Sequence, residues 1–391
     1  MNKFDVAIVG GGLIGASIAF ELAAEKLRVV VVDRQKPGLE ASWAAAGMLS
    51  PGPHAPEDEP LTPLAKESLR LYPEFVAAVE AASQQSVSFQ REGAVEIFCG
   101  PHAESERDKL VASHRRLGLA AEGISSEAAR KMEPALGPAV SAAAWFPDEA
   151  TVEPRLLMAA VLEGASRRGV EIRQNYAVTS LRCEKGGDGE RCVGIAAGEN
   201  QIEAKFVVLA AGCFTGAIKS GAEKFLPASF THPVRGQMIA LHPKSARLSR
   251  VLRSERGYLV PRRDGKIVAG STTEDTGFEK RVTAEGVRSI LSAALDLMPT
   301  LAGAEIVETW SGLRPGTIDG LPILGPAAVE GLLVATGHFR NGILLAPVTA
   351  KLICDWILRG RVNLDVAKFS PARFDTAKAP SGGTRTAVTN S

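Results

Sequence analysis

The chain has 391 residues, 45% of them hydrophobic, which is enough for two or three folded units at roughly 100 to 200 residues each. Lys plus Arg number 45 against 44 Asp plus Glu with the signs interspersed, so no broad field attracts nucleic acid or an anionic membrane; basic pairs such as Arg115-Arg116 and Arg262-Arg263 read as solvated surface. No apolar run approaches the roughly 20 residues that span a bilayer, and the chain opens on strand-like sequence rather than a basic leader. Its five cysteines lack CxxC spacing and suit reduced thiols, so a cytoplasmic protein without a membrane partner is expected.

Residues 5–9 form a short apolar run, the glycine-rich stretch 10–15 follows, and apolar residues then recur at helical spacing to about residue 26. Residues 29–32 are four valines with no polar alternation, the pattern of a parallel strand covered on both faces, and they end at Asp33. The first 33 residues thus read as a strand-helix-strand unit. A small-residue stretch at 41–48 leads into residues 51–63, where five prolines forbid a regular helix; the segment is either an active-site cover or a passive connection.

Residues 64–82 and 154–168 read as helices, the second with Pro154 suited to a first turn. Strands are expected at 170–172 and 178–183. Cys183 and Cys192 flank a turn-like Gly186-Gly187-Asp188-Gly189 and can face each other across a hairpin, without a disulfide being expected. The apolar strand at 206–212 resumes the parallel sheet late, and 232–271 is rich in alternating strands that suit antiparallel pairing. Near the end a strand at 332–337 leads through 338–342 into a helix over 343–358, and 375–391 read as a disordered tail. The fold class is therefore α/β: a Rossmann-like domain interleaved in sequence with a second domain built on an antiparallel sheet. The six histidines are scattered without HExxH spacing, so no metal site is expected.

Gly10, Gly12 and Gly15 form GxGxxG between a strand and a helix, with Asp33 about 20 residues on. Glycine there permits a tight turn, lets backbone approach a pyrophosphate and allows helix and strand to pack closely, while the helix N-terminus holds the diphosphate. A carboxylate at Asp33 can accept both ribose hydroxyls, which argues against a 2′-phosphorylated cofactor. The motif alone fits NAD or FAD. Irregular sequence follows the fingerprint instead of consecutive strand-helix units, and this favours FAD.

With those features, SWAAAGML at 42–49, VVLAAG at 207–212, GYLVPRRDGKIVAGST at 257–272, WSGLRPGTIDGLPILG at 310–325 and GHFRNGILLAP at 337–347 resemble the FAD-dependent amino acid oxidases of the D-amino acid oxidase type, most closely the glycine oxidases of thiamine biosynthesis. The resemblance implies an FAD-binding domain over 1–86, 148–225 and 306–374 and a substrate-binding domain over 87–147 and 226–305. It places FAD contacts at Leu13, Ile14, Arg34, Ala41, Ser42, Ala46, Gly47, Met48 and Gly212, an adenine contact at the Val178 backbone, and the flavin-side loop at His338, Phe339, Arg340, Asn341, Gly342, Ile343 and Leu344. A helix starting about Gly342 would aim its positive end at the reduced ring, the alternative being an ordinary strand-to-helix turn.

By the same resemblance Arg314 grips the substrate carboxylate, for which a guanidinium has the right shape, or else it is a structural arginine paired with a local acid such as Asp319. Tyr258 is implied as a partner of that carboxylate or as packing, and Arg340 as a secondary site residue. Thr273 stands where related enzymes can carry a bulkier methionine. No cysteine occurs in 314–353, so the FAD is expected to be noncovalent.

The reaction implied is oxidation of glycine and small amines, sarcosine and small D-amino acids included. Hydride transfer to flavin N5 would give an imine, then glyoxylate and ammonia, with oxygen reduced to peroxide, and the imine would serve thiazole assembly. Orientation supplies much of the barrier reduction, so no protein base is required. A homotetramer is implied as well. The alternatives are a flavin dehydrogenase with another electron acceptor, a D-amino acid or sarcosine oxidase, an NAD dehydrogenase, and a binding module without catalysis.

Overall fold

The computed structural model describes residues 3–53, 56–186, 189–218, 230–245 and 247–374. The expected tail at 375–391, the turn residues Gly187 and Asp188, and His54 lie outside these residues. Two eight-stranded sheets carry the fold. The first runs in the order Ile323–Pro326, Leu332–Thr336, Asn200–Leu209, Lys3–Val9, Val29–Val32 and Glu171–Arg173, with the hairpin Ser180–Gly186 and Gly189–Ala197 joined to Asn200–Leu209. Its central pairings are parallel, and only the Ile323–Pro326 edge and the hairpin run antiparallel.

Strand periodicity of two distributes the apolar side chains over both faces of this sheet. Val6, Ile8, Val29 and Val31 join a core shared with helices Leu13–Ala24, Thr62–Ser83, Pro154–Arg167 and Ala346–Arg359. Ala7, Val9, Val30 and Val32 face the other way, onto Leu181, Ile195 and Phe230. Coverage on both sides explains why the four consecutive valines need no polar alternation.

The second sheet runs in the order Glu305–Thr317, Thr231–His242, Ile267–Gly270, Gly257–Pro261, Val251–Ser254, Ala94–Cys99, Val140–Phe146 and Glu122–Ser125. Every pairing is antiparallel except that of Val251–Ser254 with Ala94–Cys99. One face packs on helix Ala284–Leu297 through Ile239, Leu259 and Ile290. The opposite face carries Met238, Val260 and Trp310 and turns toward the first sheet's loops.

Four details differ from the sequence reading. Strand Glu305–Thr317, placed with the dinucleotide-binding segments, pairs along its length with Thr231–His242 and so belongs to the second sheet. Val178 is not in a strand: it lies in a link without regular secondary structure, anchored where the Tyr176 amide donates to the Asp33 carbonyl, and the ladder starts at Ser180. The last long helix starts at Ala346 rather than near Gly342, after a single 3-10 turn at Phe339–Asn341. Within the proline-rich segment Pro56–Leu61 form 3-10 turns that run directly into helix Thr62–Ser83. Cys183 and Cys192 are directly opposed in the hairpin and both are free thiols.

Candidate functional site

The glycine-rich turn is built as its sequence implies. Gly10 has φ +109°, a conformation L side chains rarely adopt, and a Cβ there would overlap the Ala210 carbonyl of the neighbouring strand. Gly15 sits inside the first turn of helix Leu13–Ala24, against the Gly10 carbonyl, and is not among the residues lining the cleft beside this turn. Asp33 ties the turn down: one carboxylate oxygen accepts the Gly11 amide at 2.8 Å and the other the Gln35 amide at 3.0 Å. Burial pushes the Asp33 carboxyl up from 3.8 against those two donors. Each oxygen keeps lone-pair capacity for a further donor such as a ribose hydroxyl.

A cleft runs along this turn. Gly10, Gly12, Leu13, Ile14, Asp33 and Arg34 line one end, with Ala41, Ser42, Val178 and Gly212 beside them. His338, Phe339, Arg340, Gly342 and Ile343 close the other end. No acidic side chain occupies the first turn of helix Leu13–Ala24, so its positive end stays available to an anion. The Ser42 hydroxyl accepts the Leu13 amide at 2.9 Å and retains its own O–H to donate to a phosphate oxygen. Arg34 pairs with Glu40 at 2.6 Å and lies 3.5 Å over the Phe214 ring. These features fit a long dinucleotide diphosphate.

A second cavity of about 500 Å³ opens from the cleft, with Ala41, Ala45, Phe339, Arg340 and Ile343 on the shared wall. Ala46, Gly47, Met48 and Asn341 line it on the cleft side, Tyr258 and Arg314 on the side of the second sheet. Leu344 lines neither space and is buried in the core. His338 is buried too; its ring meets the Thr349 hydroxyl at 3.1 Å, and burial pulls its pKa down to about 3, so it is neutral.

Arg314 is held from three sides by neutral groups. It donates to the Arg235 carbonyl at 3.3 Å, the Thr272 carbonyl at 3.1 Å and the Ser271 hydroxyl at 2.7 Å. Its guanidinium fills the space a side chain at Gly236 would need. Burial lowers its pKa and the Tyr258 phenol beside it acts in the opposite sense. Among the described residues no carboxylate forms an ion pair with it, and Asp319, the alternative partner, is taken by Arg373 at 2.6 Å. A half-buried guanidinium surrounded by neutral acceptors, beside a cavity, has the charge and shape to receive a carboxylate. Tyr258 also donates to the Met238 sulfur at 3.3 Å, and exposed Arg340 donates to the Thr273 hydroxyl at 3.2 Å.

Sequence reading missed the groups that fix Arg314. Glu274 accepts from the Gln237 side chain at 2.7 Å and also from Arg235 and the Thr272 hydroxyl, so it ties down both segments whose carbonyls aim the guanidinium. Hydrogen bonds from Arg235, Gln237 and Thr272 hold the Glu274 carboxyl below its usual range, outweighing the burial that raises it. The charged Arg235, in a strand 231–242 that is otherwise mostly apolar and neutral, was the available signal.

Fold and site together fit a dinucleotide-dependent protein, with a guanidinium that can receive a carboxylate beside the cleft. The family described as DAO, FAD dependent oxidoreductase, matches residues 5–356. Glycine oxidase from Geobacillus kaustophilus is 34% identical over 95% of this chain and 97% of its own. Its crystal structure superposes with a TM-score of 0.89 at 32% identity, covering 95% of this chain and 99% of that one. The bifunctional protein ThiO/ThiG of Trichormus variabilis is 36% identical over 95% of this chain, which spans only 55% of that longer protein. The chain belongs to the FAD dependent oxidoreductases of the DAO family, and FAD is its cofactor. Among the described residues no helix is long and apolar enough to cross a membrane.

Proposed function

We propose that the protein is an FAD-dependent amine oxidase acting on glycine and similarly small amino acids. In the net reaction glycine, oxygen and water give glyoxylate, ammonia and hydrogen peroxide. The observation that carries this reading is Arg314, a guanidinium with no ion-paired carboxylate among the described residues, in a cavity that opens onto the cofactor cleft. Bound flavin supplies the two-electron acceptor.

The chain's own groups bind and orient. Arg314 takes the carboxylate in a two-point grip and Tyr258 adds a hydroxyl at its edge, so the α-carbon faces the wall shared with the cleft. Ala41, Ala45 and Ile343 on that wall exclude water from the reacting carbon. The 3-10 turn at Phe339–Asn341 brings Arg340 and the Gly342 backbone to the part of the cleft that adjoins the cavity, where they would hold the flavin.

The flavin is held without a covalent bond in this reading. Cys213, the cysteine lining the cleft, is buried and its thiol is pushed up to about 12, which leaves it unreactive. Supply of the imine to thiazole assembly, a homotetramer and a cytoplasmic setting belong to the same proposal and rest on resemblance to the glycine oxidases. The domain division follows the two sheets, with 306–317 moved to the substrate-binding domain.

Anaerobic addition of glycine should bleach the visible flavin bands, and readmitted oxygen should restore them with one peroxide per turnover. Bleaching by glycine without peroxide in air would identify a dehydrogenase instead.

A further inference from the structure

We propose that the cavity contains a second, cation-accepting subsite at Glu96 and Glu255, so that its substrates include small amino acids whose side chain or N-substituent ends in an ammonium group. The inference rests on the reading of Arg314 as the carboxylate receptor and extends it to the far end of the same space.

Register across the second sheet sets the geometry. Tyr258 pairs directly with Arg253, and Arg253 pairs directly with Glu96 on the next strand. Residues opposed in this way project from the same face, so the three form one row that leads away from Arg314. Two strand spacings separate Tyr258 from Glu96, about 10 Å. That distance suits an ornithine-length substituent together with the glutamate's own reach, and all three residues line the cavity.

Charge along this row does not cancel. Arg253 is nearly buried and gives two hydrogen bonds to Glu149, at 2.6 and 3.0 Å, and one to Glu96 at 2.8 Å. Glu149 also accepts the Ser50 hydroxyl, so both its oxygens are engaged inside the protein. One guanidinium thus faces two carboxylates. The carboxylate left over is Glu96, whose side chain is 23% exposed while that of Glu149 is 6% exposed.

His114, behind Arg253, is kept neutral because burial lowers its pKa. At the rim, Arg256 is committed to Asp296 and to Ser292, whereas Glu255 on the same turn adds an exposed negative charge. The cavity is therefore bipolar, positive at Arg314 and negative at Glu96 and Glu255. A glycine molecule meets only the first pole. A zwitterion with a second, distal cation meets both.

The test uses the FAD-loaded enzyme and near-isosteric triplets: N-(2-aminoethyl)glycine, N-propylglycine and N-(carboxymethyl)glycine, and D-ornithine, D-norleucine and D-glutamate. Flavin bleaching gives kcat/KM, and the shift of the oxidised flavin spectrum on binding gives Kd. In at least one triplet the cationic member should exceed the neutral one by about tenfold and the anionic member should be the poorest, as expected for one charge pair in a partly solvated cavity. Glu96→Gln should reduce the cationic-to-neutral ratio toward unity, and Glu255→Gln, at an exposed turn, should reduce it less.

A neutral member equal to or better than the cationic one in both triplets overturns the subsite, as does a ratio untouched by Glu96→Gln in folded protein. If Glu96→Gln fails to fold, the order within the wild-type triplets decides alone. If glycine does not bleach the flavin, the proposed oxidation fails, and the order of Kd values still decides the subsite.

Discussion

Replacing Arg314 by Ala removes the positive pole of the site while leaving the surrounding backbone self-consistent. The guanidinium donates to two carbonyls and one hydroxyl, beside the Tyr258 phenol. Their loss exposes acceptors to water that enters the vacated space, so folding should change little. Binding should change greatly. Truncating one partner of a desolvated, hydrogen-bonded charge pair costs roughly 2–5 kcal/mol, or roughly 30-fold to several-thousand-fold in affinity. Arg314→Lys keeps the charge but loses the fork, so it should recover only part of the loss. The assay is anaerobic flavin bleaching against glycine concentration, with retained yellow colour as the control for FAD. Half-bleaching of Arg314→Ala at the wild-type glycine concentration would refute the argument, because the carboxylate would then be held elsewhere.

Other expectations follow from the same geometry. Gly10→Ala combines a φ of +109° with overlap on the Ala210 carbonyl, so it should lower thermal stability by about 3 kcal/mol or more and reduce the FAD content of purified protein. Glu149→Ala strands the nearly buried Arg253 with only Glu96 as counter-ion and should cost about 3–5 kcal/mol in a denaturant titration. His338 has its folded pKa, about 3, below the ordinary 6.5, so its neutral form favours the folded state above pH 6.5. That contribution should fall as pH drops from 6.5 toward 3, by up to about 1.4 kcal/mol per pH unit, and His338→Asn should flatten the acid limb of stability. Glu274 has a depressed pKa, so its hold on Arg235 and Thr272 is complete above about 4.5 and is lost in acid; Glu274→Gln should raise the glycine KM at neutral pH more than it alters kcat.

What could be read from the chain was mostly local. Four consecutive valines ending at Asp33 announce a buried parallel strand and its carboxylate, and the glycine spacing announces the turn they face. The start of the last helix was misread because the apolar run at 343–345 looks helical. Pro347 has no amide, so the Ile343 carbonyl cannot receive the helical hydrogen bond and takes the Tyr72 hydroxyl instead, at 3.0 Å. Ser68 likewise donates to the Leu344 carbonyl at 2.6 Å, from 276 residues away, a partnership no local pattern encodes. The same holds for Arg235 with Glu274, and for strand Glu305–Thr317, whose sheet is decided by a partner about 75 residues upstream. Arg314 was found through the resemblance of its surrounding string, while the neutral cage that aims it became visible only in three dimensions.

The strand that carries Arg314 works as a septum. Gly312 and Arg314 border the cavity proposed for the amine, while Leu313 and Pro315, pointing the opposite way, border the cleft proposed for the nucleotide. A substitution at an even position can retune the first compartment and leave the second intact. Inserting or deleting one residue between 309 and 314 would swap the two linings at a stroke, and the molecule would lose both compartments together.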